Sequence, residues 1–286
     1  MKQRSDRRIA VVTDSTADIP PALIDAYGIH VVPVYLVMGD KTWRDGVDIS
    51  PAAFYQLLQS STGFPHTAPP DMVSFQDLFI ELSKTAEGIV AVLLSDELSA
   101  TLGSARAARA SLPDVPIEVV DSRATSMMLG FSVLAAARAA ASGSDLAAVA
   151  GAAREVASKA RIYFVVDTLE YLHRGGRIGA AAKLIGSALD IKPVLEVADG
   201  MVAPVARVRT RPKAMERLYK LLEEKIPGRD RLHMAVVNVA AQAEAARLKE
   251  LLEARFHPVE MIETECSPTL GAHAGPGAVG VVFYAE

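Results

Sequence analysis

Apolar residues fall into two alternating patterns along the chain. Short unbroken runs rich in Val and Ile occur at residues 9–13, 31–37, 89–94 and 117–120. Stretches with an apolar residue every three or four positions lie between them. Unbroken runs of this length suit parallel strands covered on both faces, and strands alternating with helices predict βαβ units. Pro33 lacks the N–H that a ladder needs, so the run holding it is expected at an edge or an irregular position. Helices are expected over 72–87, 101–110, 126–141 and 146–160, the last two Ala-rich and split by Ser142-Gly143-Ser144. Ser50-Pro51 reads as an N-cap followed by proline at the first helical position.

A second block begins near Arg161. A strand is expected at 162–166, then a short helix opened by Asp167 with Glu170 three residues on and closed by Gly175-Gly176. Asp199-Gly200 is a strong turn pair and predicts a hairpin of strands 194–197 and 202–209. Helix and strand then alternate through 211–225, 232–239, 240–255, 259–264 and 279–284. The predicted fold class is α/β, in two α/β domains over residues 1–158 and 159–286.

Composition narrows the function. Hydrophobic residues make up 50% of the 286 and charged ones 22%, which fits a globular protein and excludes disorder. Thirty Lys and Arg against 34 Asp and Glu leave a net charge of −4, a poor basis for gripping nucleic acid. The single cysteine, Cys266, can form neither an internal disulfide nor a Cys-rich zinc site, so a cytoplasmic location is expected. The N-terminal apolar run stops at Thr13-Asp14, too short for a signal core, and no stretch reaches the ~18 apolar residues of a membrane span.

Several chemistries are excluded by context. Gly275-Pro276-Gly277-Ala278-Val279-Gly280 matches G-x-G-x-x-G, but a strand-like segment follows it rather than the helix that would receive a pyrophosphate. There is no phosphate-binding G-x-x-x-x-G-K-[ST] loop and no G-x-S-x-G elbow. The six histidines lack metal-ligand spacing, so no metal site is expected. What remains is a set of hydroxyl-rich segments. His66-Thr67-Ala68-Pro69-Pro70 sits between two helices, where Thr67 has the chemistry of a cap. Ser95 to Thr101 follows a buried strand and opens a helix, a geometry that lets Ser99 either cap it or, with free backbone N–H groups, hold an anion. His273 lies in the glycine-rich loop 271–277, where a ligand can approach the backbone closely.

Together these segments resemble the DegV family. The resemblance rests on Val12-Thr13-Asp14-Ser15-Thr16-Ala17-Asp18-Ile19-Pro20, Thr67-Ala68-Pro69-Pro70, Leu98-Ser99-Ala100-Thr101, Val120-Asp121-Ser122 and Arg209-Thr210, with Gly271 to Gly280 closing the series. Its most specific string is Asp167-Thr168-Leu169-Glu170-Tyr171-Leu172-His173-Arg174-Gly175-Gly176-Arg177-Ile178. The family's bacterial members bind fatty acids, and some serve as the FakB-type subunit of a fatty acid kinase.

The resemblance implies a three-layer α/β/α N-terminal domain with a mostly parallel sheet and a C-terminal domain with a mixed sheet. It implies a long-chain fatty acid as ligand, no cofactor, no catalytic residue, and a separate ATP-binding kinase subunit as partner. Thr67, Ser99 and His273 match the carboxylate site. Ala100, which replaces the family's glycine, lies beside that site, as does Ala68, which replaces a serine; Arg174 and Arg177 belong near the phosphoryl region. Arg209 matches the family's arginine in its segment. With Arg207 on the same strand face, it suggests docking of an acidic kinase partner, or passing contact with anionic lipid head groups. An apolar tunnel ending in a few donors suits such a ligand, because burying an unpaired carboxylate is costly. The competing readings are a hydrolase or transferase using Ser99, His273 and Asp14 or Asp96, and an arginine-faced regulatory or nucleic-acid-binding module.

Overall fold

A computed structural model describes residues 9–61, 63–184, 191–226 and 231–286. The chain opens with β1 (Ile9–Asp14), α1 (Pro21–Tyr27), β2 (His30–Val32), β3 (Tyr35–Met38), β4 (Lys41–Arg44), α2 (Pro51–Ser60) and β5 (His66–Ala68). There follow α3 (Met72–Ser83), β6 (Gly88–Leu93), α4 (Thr101–Ala110), β7 (Ile117–Asp121), α5 (Ser126–Ala141) and α6 (Leu146–Lys159). Strands β2-β1-β6-β7, in that order, form a parallel sheet. Helices α3 and α4 cover one face, through Phe75, Phe79, Leu102 and Ala105, and α5 and α6 cover the other. This is the expected parallel three-layer arrangement.

The expected single strand over 31–37 is two strands. Pro33 interrupts it, so β2 ends at the edge of the parallel sheet and β3 turns away to pair antiparallel with β4 and β5 in a small separate sheet. Strands β4 and β5 carry no clear period-two pattern, which is why they escaped the sequence reading.

The remaining elements are β8 (Arg161–Val165), α7 (Glu170–Arg174), β9 (Val194–Ala198), β10 (Met201–Ala206), α8 (Arg211–Lys225), β11 (Leu232–Asn238), α9 (Gln242–Phe256), β12 (Glu260–Glu265), α10 (Pro268–Ala274) and β13 (Val279–Ala285). The sheet order is β10-β9-β8-β13-β11-β12, antiparallel except for the parallel pair β11 and β12. The mixed sheet is therefore as expected. Alternation divides β13 cleanly: Val279, Val281 and Phe283 pack under α8 and α9, while Val282 and Tyr284 face the other way.

That second face meets α5. Twelve of the sixteen residues of α5 are buried, because the helix is covered by the parallel sheet on one side and approached by the mixed sheet on the other. Its Ala richness follows from this confinement. A methyl at Gly130 would overlap the Ala17 carbonyl.

Three local expectations are corrected. Asp167 does not cap α7: the Thr168 hydroxyl accepts the Glu170 N–H at 3.1 Å, and Asp167 instead meets Arg211 at 3.3 Å. The strand expected to reach residue 209 stops at Ala206 after a register shift beside Pro204, leaving Arg207 and Arg209 in the connection to α8. His273 lies in the last turn of α10 rather than in a loop. Among the described residues, no helix is long and apolar enough to cross a membrane.

Candidate functional site

A cavity opens between the face of the mixed sheet turned away from α8 and α9 and the loops at the carboxyl ends of the parallel strands. It encloses about 940 Å³ of atom-free space, a figure that takes in open solvent at its mouth. Its walls are apolar along Ile162, Phe164, Val197, Val202, Val237 and Val239, all from the mixed sheet or its immediate continuation. Polar groups enter at separate points, including Thr67, Ser99, Arg177 and His273.

Each of these side chains is fixed by its element. Thr67 is the middle residue of β5, opposite Leu36 on β3. It does not cap α3; the Asp71 carboxylate accepts the Ser74 N–H there. Ser99 stands just before α4, where its hydroxyl takes the Thr101 N–H at 3.3 Å and lies 2.9 Å from Thr101 Oγ1. The N-cap position itself falls to Ala100, which has no capping side chain, so Ser99 is not the N-cap; its hydroxyl makes a local contact at the helix start from a place on the cavity wall. His273 Nε2 lies 2.9 Å from Thr67 Oγ1, a contact across 206 positions of sequence. Its Nδ1 is buried and has no hydrogen-bond partner among the described residues. Burial, with the positive charge of Arg177 and the nearby His66 ring, lowers the His273 pKa to about 4, so the ring is neutral near pH 7.

Arg177 joins the two halves of this site. Its Nε donates to the Leu98 carbonyl at 3.1 Å and its Nη1 to the Gly175 carbonyl at 2.8 Å. A cation therefore borders the cavity, in addition to the hydroxyls and the imidazole. The glycines around it are explained by packing. A Cβ at Gly175 would overlap the His273 ring, and one at Gly277 would strike the Asp167 carboxylate. The glycine motif at 275–280 runs into β13, so no helix follows it.

Other expected residues lie elsewhere. Ala100 is exposed at the N-cap of α4 and is not part of the cavity wall, and Arg207 and Arg209 are exposed beyond β10. The elements of a Ser-His-Asp arrangement do not meet. His273 pairs with Thr67 rather than Ser99, Asp14 accepts from Thr16 and the Leu94 N–H, and Asp96 pairs with Arg106. Among the described residues no acid orients His273 Nδ1, which that chemistry requires. Among the described residues, no cluster of three His, Cys, Asp or Glu side chains is placed to hold a metal.

Sequence reasoning missed a buried polar layer beside the cavity. Thr16, Ser126, Cys266 and Thr269 line it. Behind them Asp18 accepts from Ser126 Oγ at 2.6 Å and the Ser267 N–H at 2.8 Å, while Asp45 accepts from Ser15 Oγ and the Thr269 N–H. Both carboxyls thus hold the start of α10, which carries His273 one turn after Thr269. Ser267-Pro268 was the available signal for that helix, an N-cap followed by proline.

Comparison with known proteins matches residues 8–286 to the family described as "Uncharacterised protein, DegV family". The chain belongs to the DegV family. It is 39% identical to a DegV domain-containing protein of Streptomyces coelicolor, over 96% of this chain and 98% of that protein. It is 33% identical to Protein DegV of Bacillus subtilis, over 96% and 98%. Among solved structures, a fatty-acid-binding DegV family protein from Thermus thermophilus superposes with a TM-score of 0.92 at 32% identity, covering 98% of this chain and all of that one. DegV of Bacillus subtilis, described as a fatty acid binding protein, gives 0.91 at 32% identity with the same coverage. The parallel and mixed sheets of the DegV fold are therefore shared over nearly the whole chain.

Proposed function

We propose that this chain binds a long-chain fatty acid in the cavity and presents its carboxylate, without reacting with it, to a separate ATP-binding kinase subunit. The observation that carries the binding reading is the cavity itself: apolar walls and a short set of donors at Thr67, Ser99 and Arg177. Similarity to fatty-acid-binding DegV structures over 98% of the chain supports it.

In this reading the tail contributes ~0.8 kcal/mol per buried methylene. The donors offset the cost of desolvating the head. With its proton on Nε2, neutral His273 would donate to Thr67 Oγ1 and leave the Thr67 O–H free to donate to a carboxylate oxygen. Ser99 supplies a second hydroxyl, and Arg177 adds charge without leaving its two carbonyl partners. The protein needs no cofactor for this, and its place is the cytoplasm. We further propose that the two domains divide at 158/159, in the last turn of α6 just ahead of β8.

Mass spectrometry of lipid extracted from the purified protein, followed by titration with the fatty acid found, tests the binding reading. Absence of fatty acid together with failure to bind any added one sinks it. Phosphorylation of the bound acid by an added kinase subunit tests presentation separately. Ester turnover by the purified protein alone would instead favour the hydrolase reading.

A further inference from the structure

Strand β13 is interior to the mixed sheet, between β8 and β11, and yet carries a glycine at position 280. An interior glycine weakens a strand and commonly marks a place where something approaches the backbone closely. Gly280 has no positive φ, so no turn or bulge geometry requires it. The reason must lie on its face of the sheet.

Alternation along β13 puts Gly280 on the same side as Val282 and Tyr284, the side away from α8 and α9. Register fixes its neighbours: Phe164 of β8 stands opposite on one side and Val237 of β11 on the other. All three line the cavity. The row across the sheet at this level reads Leu195, Phe164, Gly280, Val237, so a single missing side chain leaves a trough between two apolar walls. A Cβ built at Gly280 would lie 3.0 Å from Phe164 Cβ and 3.0 Å from Val237 Cγ2, tighter than ordinary contact. Even a methyl there would therefore crowd both walls.

We infer that Gly280 is a specificity-determining residue: the trough it leaves between Phe164 and Val237 seats the acyl tail and sets which chain lengths the cavity accepts. This rests on the fatty-acid reading given above. A polymethylene chain is narrow and apolar, and a sheet face bare of one side chain offers it a groove without exposing backbone donors, which the ladder already uses. Thr67, Ser99 and His273 lie on or beside β5, α4 and α10, and none is among the nearest neighbours of a Cβ at position 280.

The test is titration of the native protein, Gly280→Val, Gly280→Ala and Val237→Ala with a saturated fatty-acid series from C10 to C18, with thermal unfolding to confirm cooperative folding. Gly280→Val is expected to bind the longest member at least tenfold more weakly while the shortest member that the native protein binds changes less than twofold. Gly280→Ala should shift in the same sense by a smaller factor. Val237→Ala, which widens the trough from its other wall, should move the preference towards longer chains, and it carries the test if the Gly280 variants do not fold. An unaltered length profile in every folded variant overturns the assignment, as does an equal loss at all lengths. If the native protein binds no member of the series, the fatty-acid reading falls and takes this assignment with it. If the native protein binds normally and only the profile fails to move, Gly280 alone is wrong.

Discussion

The His273 ring rests directly against the backbone of Gly175, so close that a methyl at position 175 would overlap its Nδ1 edge. Gly175 has a negative φ that any residue adopts, so the glycine is there for space rather than for backbone freedom. It turns the Gly175-Gly176 pair, read from sequence as a helix stop, into the seat of the imidazole. Gly175→Ala is therefore expected to dislodge the ring and break its contact with Thr67, costing about 1–3 kcal/mol of stability as overpacked cores do. Fatty-acid affinity should fall with it. In combination with His273→Ala, the alanine at 175 should cost no further affinity, since the ring it displaces is already gone. Full additivity of the two losses in a double-mutant cycle would refute the seat.

Ser99 bridges the start of α4 and the cavity. Ser99→Ala is expected to weaken fatty-acid binding by roughly 1.5–3 kcal/mol, the range for hydrogen bonds to charged groups. It also removes the acceptor for the Thr101 N–H, so a small loss in melting temperature accompanies it. Calorimetric titration beside thermal unfolding separates the two effects. A melting-temperature loss with unchanged affinity would leave Ser99 as a helix-start residue alone.

The buried acids give a pH dependence of defined sign. Burial raises the Asp18 carboxyl from 3.8 to about 7, and the neighbouring Asp45, also buried, rises to about 6. Groups held above their unfolded pKa contribute stability that is fully present below about pH 4. It is lost as pH rises through about 7, by up to ~1.4 kcal/mol per pH unit per group. His273 acts in the opposite sense, since its lowered pKa removes stability as pH falls from 6.5 through about 4. Comparing Asp18→Asn with the native protein cancels the histidine. Asparagine accepts the left-handed backbone at position 18 (φ 51°) and keeps an oxygen for the Ser267 N–H. The variant should gain stability relative to the native protein as pH rises from 5 to 8. A stability difference that stays flat over that range would contradict the raised acidity.

How much was legible in advance depended on whether a feature was local. The β-branched runs of β1, β6, β7 and β11 carry their own pattern, and the Ala-rich helices α5 and α6 declared themselves through period and breaks. Thr67, Ser99 and His273 were reachable through the DegV-like segments. The elements of Thr67 and His273 were not: α10 is only seven residues long, and β5 only three. Asp18 and Asp45 were illegible as a pair, because 27 positions separate them and only the fold brings both to the start of α10. The Pro204 register shift likewise depends on pairing that no single strand reveals.

Binding and presentation separate at Arg209. Arg207 and Arg209 flank Val208, whose side chain packs towards the core under α8 and whose carbonyl accepts the Lys192 N–H at 2.8 Å. That anchoring turns both arginines outward even though the strand ends at Ala206. Two arginines further along the chain are already engaged: Arg211 meets Glu244 and Asp167, and Arg217 meets Glu224. Both lie outside the cavity wall, and in the proposed function they would present charge to an acidic partner. Arg209→Ala is expected to retain bound fatty acid yet fail to support its phosphorylation by the kinase subunit. Because charge at an exposed surface acts mainly through encounter and docking, raising salt should mimic the substitution in the native protein. Thr67→Ala should do the reverse, carrying less lipid while still engaging the kinase. Lipid occupancy by mass spectrometry beside a reconstituted kinase assay reads both variants. An Arg209→Ala protein that emptied its cavity, or that supported phosphorylation at the native rate, would remove the docking role.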